Sequence, residues 1–345
     1  MQTVVLAAGE GTRMRPLTAS RPKPMLPVAG RPLLAHVLDA AVAAGASRLV
    51  VVVGYEADAV RRCIGDEHAG VPVEYAVQEA QRGTADAVRA ARDRLDDAPF
   101  VVLAGDNLYD EPSLAGLFDA VPAVGAFEVD DPRPYGVLEL DDGRVTRVVE
   151  KPDDPPSSLV NASAYTFTAE ALDWLEVEAS ERGEHELTDV LARQLAAGDV
   201  RAVPLERWLD VGRPWELLAA NEWKLGELDR ALAGDVSGDA EVVGDVVVEA
   251  GATVRSGAVV EGPALVEAGA EVGPNAYVRG ATAIGPDAKV GHAVEVKNSV
   301  LMAGATAGHL SYVGDSVLGR DVNLGAGTVV ANLRHDDAPV ELTVK

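Results

Sequence analysis

The 345-residue chain is 48% hydrophobic and 25% charged, which is apolar material enough for about two globular domains. Its formal charge of −25 excludes nucleic acid or an anionic membrane as a main partner, since either would meet a field of its own sign. No apolar run approaches the ~20 residues of a membrane span, no secretory leader precedes the first strand, and the single cysteine, Cys63, reads as buried packing in a reducing, cytoplasmic protein.

In chain order, the first 225 residues alternate strand and helix signals. Apolar runs at Thr3–Ala7, Arg48–Val53, Val73–Val77 and Phe100–Leu103 predict strands, and Leu33–Ala44, Ala57–Ile64 and Ala85–Leu95 predict helices. That order predicts an α/β fold with a mostly parallel sheet, whose ligands bind beyond the carboxyl ends of the strands. The Gly9 turn and Asp106 each follow such a run, so both should line one crevice.

Residues 1–31 carry Arg13, Arg15, Arg21, Lys23 and Arg31 against one acid, Glu10. These cations surround the turn Ala8-Gly9-Glu10-Gly11-Thr12. In so acidic a chain this local inversion suits a phosphate: backbone N–H groups approach closely and cations stand behind them. A dinucleotide fingerprint would need glycine where Met14 stands, and a Walker-type loop is absent. Six of the thirty cations are lysine, and three of those, Lys23, Lys151 and Lys297, fall in the motifs discussed here. A compact ammonium matters there. Acid excess with scarce lysine points to a salt-rich cytoplasm.

From Ala240 the pattern changes. Aliphatic residues recur every sixth position from Val242 to Met302, and small residues such as Ala252, Ala258 and Ala270 follow four positions after each. A hexad cannot be an α-helix; it predicts a parallel β-helix, one hexad per face. The period slips once after Met302, across Gly308-His309-Leu310-Ser311-Tyr312, and resumes as Tyr312, Leu318, Leu324 and Val330. Residues 226–239 read as a linker between domains at 1–225 and 240–345. The sequence ends in what reads as mid-domain, so the second domain is expected to be C-terminally incomplete.

The opening string and its spacing to Lys23 resemble the sugar-1-phosphate nucleotidyltransferase family, and later landmarks occur in that family's order. The resemblance implies a Rossmann-like nucleotidyltransferase domain. Ala8, Gly9, Gly11, Thr12, Gln78, Gly83 and Thr84 would bind the nucleotide, with Arg13 and Lys23 catalytic at the phosphates. Asp106 and Asp210 would hold Mg²⁺, while Gly136, Glu150, Lys151 and Asn161 would bind the sugar phosphate. The stretch from Arg279 to Asn332 is similar to the acetyltransferase part of bifunctional GlmU proteins, which implies a left-handed coil. There His309 would be the general base, with Arg279, Lys297, Tyr312, Asn323 and Asn332 around the acetyl acceptor and acetyl-CoA as co-substrate.

The reading is therefore a uridylyltransferase (UTP or dTTP) acting on a sugar 1-phosphate, N-acetylglucosamine 1-phosphate first, with a linked acetyltransferase. The resemblance also implies a homotrimer or dimer of trimers. Rivals are a glucose-1-phosphate thymidylyl- or uridylyltransferase with a scaffolding β-helix, and a non-catalytic assembly protein of the same architecture.

Overall fold

A computed structural model describes residues 1–341 except 20, 181, 337 and 339; the last four residues of the expected second domain lie outside the described residues. The chain runs through β1 (Gln2–Ala7), a hairpin of β2 (Pro27–Val28) and β3 (Arg31–Pro32), α1 (Leu33–Ala43), β4 (Arg48–Val53), α2 (Ala57–Ile64), β5 (Glu67–His68) and β6 (Val71–Val77). There follow α3 (Thr84–Ala90), β7 (Phe100–Ala104), β8 (Asn107–Tyr109), α4 (Glu111–Asp119), β9 (Ala123–Glu128), β10 (Gly136–Asp141), β11 (Arg144–Glu150) and β12 (Leu159–Phe167). Next come α5 (Leu187–Ala197), β13 (Val200–Pro204), β14 (Trp208–Asp210) and α6 (Pro214–Leu225).

These elements form two compact units. The first comprises Met1–Gly11, Ser20–Leu26 and Leu33–Asp210; the second comprises Thr12–Ala19, Pro27–Pro32 and Val211–Lys345. The first is built on a ten-stranded sheet of order β10-β11-β13-β9-β12-β7-β1-β4-β6-β5. Its centre, β7-β1-β4-β6, is parallel, as the strand–helix alternation requires. Alternate residues enter separate cores: Val5, Val51 and Leu103 pack on one face, and Val4, Val50 and Val102 on the other. Both faces are therefore covered, which explains why the central strands read as continuous apolar runs. Cys63, expected inside, is exposed. On α2 the buried positions are Val60 and Ile64, so the cysteine lies off the apolar stripe.

The second unit is a parallel β-helix of the left-handed hexapeptide type, three six-stranded parallel sheets in which each strand pairs with its counterpart one coil on. Val248, Val254, Val260, Val266, Val272, Val278 and Ile284 stack inside, and Ala252, Ala258, Ala264, Ala270, Ala276 and Ala288 fill the corners. The first coil already begins with strands Ala231–Leu232 and Asp235–Val236, inside the stretch read as a linker. The slip also differs from the expected one. Ile284 pairs with Leu301 and not Met302, and Val296 pairs with Val313, so Tyr312 faces outward. Two steps are shortened to five residues, Val296 to Leu301 and Val313 to Leu318, and Leu318 and Val330 keep the places the hexad predicts.

Helix α6, read as the end of the first domain, groups with the coil. Leu225 packs with Ala29, Leu265 and Ala281. The Asn221 side chain, fully buried, accepts from the Ala29 amide at 3.0 Å and donates to the Ala281 carbonyl at 3.1 Å. A satisfied buried amide of this kind ties helix, hairpin and coil together.

Candidate active site

Sheet β7 ends at Ala104, and the chain turns through Gly105. A Cβ at Gly105 would stand 2.7 Å from the Leu6 carbonyl, so glycine alone lets the backbone pass. Asp106 follows, then β8, which pairs antiparallel with β14 in the register Asn107↔Asp210. Asp110 fixes this pairing: its carboxylate caps α4 through the Ser113 amide at 2.9 Å and accepts the Arg207 amide at 2.9 Å just before β14. The two aspartates predicted from distant motifs thus become neighbours.

Lys23 joins them. It opens a short helical turn, Lys23–Met25, entered from the extended Pro22, and is 6% exposed. Its Nζ lies 2.5 Å from Asp106 Oδ2 and 4.0 Å from Asp210 Oδ1. One buried ammonium faces two carboxylates, so the cluster keeps an excess negative charge. Beside it Asn107 Oδ1 is buried without a hydrogen-bond partner among the described residues. An all-oxygen donor set with an orphaned acceptor fits a hard cation such as Mg²⁺, which takes one or two carboxylates and leaves the rest of its shell to water or phosphate.

The nucleotide residues lie along the ends of β1 and β6. Ala8 is buried, and its carbonyl accepts from Gln81 Nε2 at 3.0 Å; Gly9 follows in the open turn, and Gly11 has a positive φ. Thr12 and Arg13 begin a short helical turn grouped with the second unit, where the exposed Arg13 guanidinium sits 3.5 Å from where a Cβ on Gly212 would stand. Gln78, 7% exposed, donates from Nε2 to the Gly83 carbonyl at 3.1 Å and to Asp86 Oδ2 at 3.0 Å. A cavity of about 390 Å³ runs along this segment, bordered by Gln78, Arg82, Asp86 and Arg89. The Thr84 hydroxyl is already engaged, accepting the Leu187 amide at 2.8 Å. It ties α3 to the first turn of α5.

The residues expected to bind the sugar phosphate converge through strand register. Gly136 faces Glu150, and Val137 faces Val160, next to Asn161. A Cβ at Gly136 would stand 3.0 Å from Glu150 Oε2, 3.2 Å from Thr188 Cγ2 and 3.3 Å from Asn161 Nδ2. Burial pushes the Glu150 carboxyl up, partly offset by Lys151, whose Nζ is 3.4 Å away. Asn161 is aimed by an irregularity in β12: Ser163 has φ +53°, its N–H donates to Asn161 Oδ1 at 2.8 Å, and its carbonyl accepts from Tyr109 at 3.1 Å. Sequence reasoning missed Thr188 and Glu186. The Thr188 hydroxyl is 93% buried by residue and unpartnered, and Glu186 is bound 2.7 Å from Arg182, which also reaches Glu150 at 3.7 Å. No local pattern marks them, because only tertiary packing brings the first turn of α5 to β10 and β11.

On the β-helix, Arg279, Lys297 and Tyr312 project from one sheet, in strands Tyr277–Arg279, Glu295–Lys297 and Tyr312–Gly314, and Asn332 follows a further strand of that sheet. Arg279 Nε binds Glu295 at 2.8 Å and Lys297 lies 3.3 Å from Asp315. His309 and Asn323 belong to the neighbouring sheet; His309 is exposed at a strand end, stacked on His292 of the preceding coil. The coil thus gathers Arg279 and Lys297, the cations expected at the acceptor's phosphate, on one sheet and sets His309 on the next.

Among the described residues no helix is long and apolar enough to cross a membrane. The nucleotidyl transferase family pattern matches residues 2–225, and that of the GMPPB C-terminal domain matches residues 260–335. Over its whole length the chain is 38% identical to a protein of Methanococcus maripaludis named bifunctional protein GlmU, covering 84% of that protein. It is 35% identical, again over its whole length and 86% of the relative, to a bifunctional sugar-1-phosphate nucleotidylyltransferase/acetyltransferase of Sulfurisphaera tokodaii. A Bacillus anthracis structure assigned as a glucose-1-phosphate thymidylyltransferase superposes with a TM-score of 0.60 at 27% identity, covering 65% of this chain and 94% of that one. A match across both halves, on a fold that assembles the family's motifs, makes this chain a member of the nucleotidyl transferase family, in its bifunctional GlmU-type group.

Proposed function

We propose that the protein transfers a nucleotidyl group from UTP, or dTTP, to a sugar 1-phosphate, N-acetylglucosamine 1-phosphate first among them, and releases pyrophosphate. The observation that carries this is the Lys23 ammonium between the Asp106 and Asp210 carboxylates. A sugar-phosphate oxygen attacks the α-phosphorus, a new P–O bond forms, and the bond to the β-phosphate breaks with pyrophosphate as leaving group. No proton need move, so the task is to align two anions and neutralise them. Lys23 and Arg13 supply cations at the phosphates. A Mg²⁺ held by Asp106 and Asp210 would neutralise charge where the two reactants meet. Gly136, Glu150, Asn161 and Thr188 would orient the sugar, and Lys151 its phosphate.

The test is pyrophosphate release from UTP and dTTP against glucose, glucosamine and N-acetylglucosamine 1-phosphates. Lys23→Ala and Asp106→Ala should each cost about 10²–10³-fold or more in kcat, the scale of losing a preorganised charge at the reacting centre, with the fold retained. Near-wild-type turnover in both variants removes the assignment. The name of the Bacillus anthracis structure supports a second reading, a glucose-1-phosphate nucleotidyltransferase with a structural coil, which the substrate matrix separates from the first.

The names of the full-length relatives support a linked acetyl-CoA-dependent N-acetylation of glucosamine 1-phosphate on the coil. His309 would take the amine proton as the nitrogen attacks the thioester. Acetylation lost in His309→Ala, with nucleotidyl transfer unchanged, is the expected outcome; acetylation persisting in that variant assigns the base elsewhere. By resemblance to the same group, the assembly is a homotrimer or a dimer of trimers.

A further inference from the structure

An amide side chain has two ends of opposite hydrogen-bonding character, so a glutamine that reads a base reports whichever end it turns outward. Gln78 has no choice of end. Both groups set against its Nε2, the Gly83 carbonyl and Asp86 Oδ2, are acceptors. The first is held in place, since the Gly83 carbonyl also accepts the Ala87 amide at 3.2 Å, in a segment so closely packed that a Cβ on Gly83 would stand 2.4 Å from the His185 carbonyl oxygen. The second is held from behind, since Asp86, 9% exposed, receives Arg89 Nη2 at 2.5 Å. Burial pushes the Asp86 carboxyl up, but the hydrogen bonds from Gln78 and Arg89 outweigh it and hold the group below its ordinary range. It is therefore ionised at neutral pH and accepts hydrogen bonds without donating any. The opposite flip of Gln78 would set Oε1 against a carbonyl oxygen and a carboxylate, exchanging two hydrogen bonds for two repulsions.

We propose that Asp86, clamped by Arg89, determines base specificity: by fixing the flip of Gln78 it presents Oε1, an acceptor, to the base and so demands a ring N–H. Uracil and thymine carry that hydrogen at N3. Cytosine has a bare acceptor there, which would face Oε1 with nothing between them, the kind of mismatch that polar pockets reject most strongly. Asp86 touches no substrate, so it is a positioning residue, and the inference rests on the reading of Gln78 as the base-contacting side chain.

The test uses the full chain and compares kcat/KM for UTP and CTP with one sugar 1-phosphate. The wild type should prefer UTP by at least about 10²-fold. In Asp86→Asn, Arg89 would hold the new carbonyl oxygen and turn the new NH₂ toward Gln78, so that either flip of the Gln78 amide keeps one hydrogen bond and meets one repulsion, and the reversed amide becomes accessible. The UTP/CTP ratio should then narrow at least tenfold, in part through a gain for CTP, while Asp86→Glu keeps the wild-type preference. A wild type without preference overturns the inference, and so does a ratio in Asp86→Asn within twofold of wild type, including a parallel loss for both nucleotides. Gln78→Leu separates the two levels. If it leaves the ratio intact, the base-reading assignment of Gln78 fails; if it collapses the ratio while Asp86→Asn does not, only the clamp fails. Should Asp86→Asn not fold, Arg89→Met lets the Asp86 carboxylate turn away from Gln78 and removes one of its two constraints; a narrowed ratio then supports the clamp, and an unchanged one overturns it.

Discussion

Tyr109→Phe removes one oxygen and keeps the ring. That oxygen accepts the Ala104 amide at 3.2 Å and donates to the Ser163 carbonyl at 3.1 Å, in a side chain 2% exposed. The variant leaves one N–H and one C=O without partners, at about 1–3 kcal/mol each, so unfolding free energy should fall by about 2–6 kcal/mol. The two groups also have functional addresses. Ala104 leads into Gly105 and Asp106, and Ser163 sits at a positive φ that costs a non-glycine residue about 1–3 kcal/mol unless its surroundings hold it. With the clamp gone the bulge should relax and carry Asn161 out of the sugar pocket. KM for the sugar 1-phosphate should then rise about tenfold, roughly the worth of one well-placed hydrogen bond, while KM for the nucleotide stays within about twofold. Urea unfolding and steady-state pyrophosphate release, each substrate varied in turn, measure both. Lost stability with an unchanged sugar KM would refute the positioning argument. Burial, and after it the Asp106 charge, also hold this phenol protonated well above its ordinary range. The unfolded chain ionises first, so that stabilisation is present below about pH 10 and lost above it, a dependence that Tyr109→Phe should reduce.

Thr188→Val replaces a buried, orphaned hydroxyl by a methyl of the same shape. It should leave the free protein as stable or up to about 1 kcal/mol more so, and weaken sugar-phosphate binding about tenfold; thermal melts with and without sugar 1-phosphate show both, and unchanged binding would take Thr188 out of the pocket. Burial, with Glu249 one coil away, pushes the Glu267 carboxyl from 4.5 up to about 7. The folded state therefore holds its proton longer than the unfolded one, and the stabilisation, complete below pH 4.5, is lost as pH rises through 7, by at most about 3 kcal/mol. Glu267→Gln should match wild type near pH 4.5 and exceed it in stability at pH 8; parallel stability–pH curves would show that this carboxyl is not buried against its neighbour.

What could be read from the sequence was whatever is carried by local spacing. The Gly9 turn and the hexad survive folding because each is a run of neighbours or a strand end at a fixed place in an α/β sheet, whereas the grouping of Lys23 with Asp106 and Asp210 is legible only through the resemblance to the family. The residues that escaped depend on who packs against whom. Thr188 reaches Gly136 only through the docking of α5. Tyr109 reads as one more apolar strand residue until its hydroxyl is seen to bridge two backbones. Cys63 was judged by residue type, whereas the stripe of α2 decides its exposure. In the coil, a strict period of six points to Met302 and Tyr312, whereas the aliphatic Leu301 and Val313 beside them take the core places because a side can close in five residues.

The distribution of charge gives these pieces a common logic. A protein of net charge −25 repels both substrates of a reaction between two phosphates, so attraction has to come from the site itself. At close range that attraction is strongest where water is scarce, and Lys23 is among the buried polar residues of the first unit. Yet its ammonium is matched against two carboxylates, which makes the pocket too negative to receive a polyphosphate unaided. The same carboxylates that would repel the substrates in a bare site would give a divalent ion its place, with Lys23 holding them together beforehand. On the proposed reading of Gln78, Asp86 would work by a related economy at the other end of the nucleotide: a negative charge that contacts no ligand would set the polarity of the amide that does.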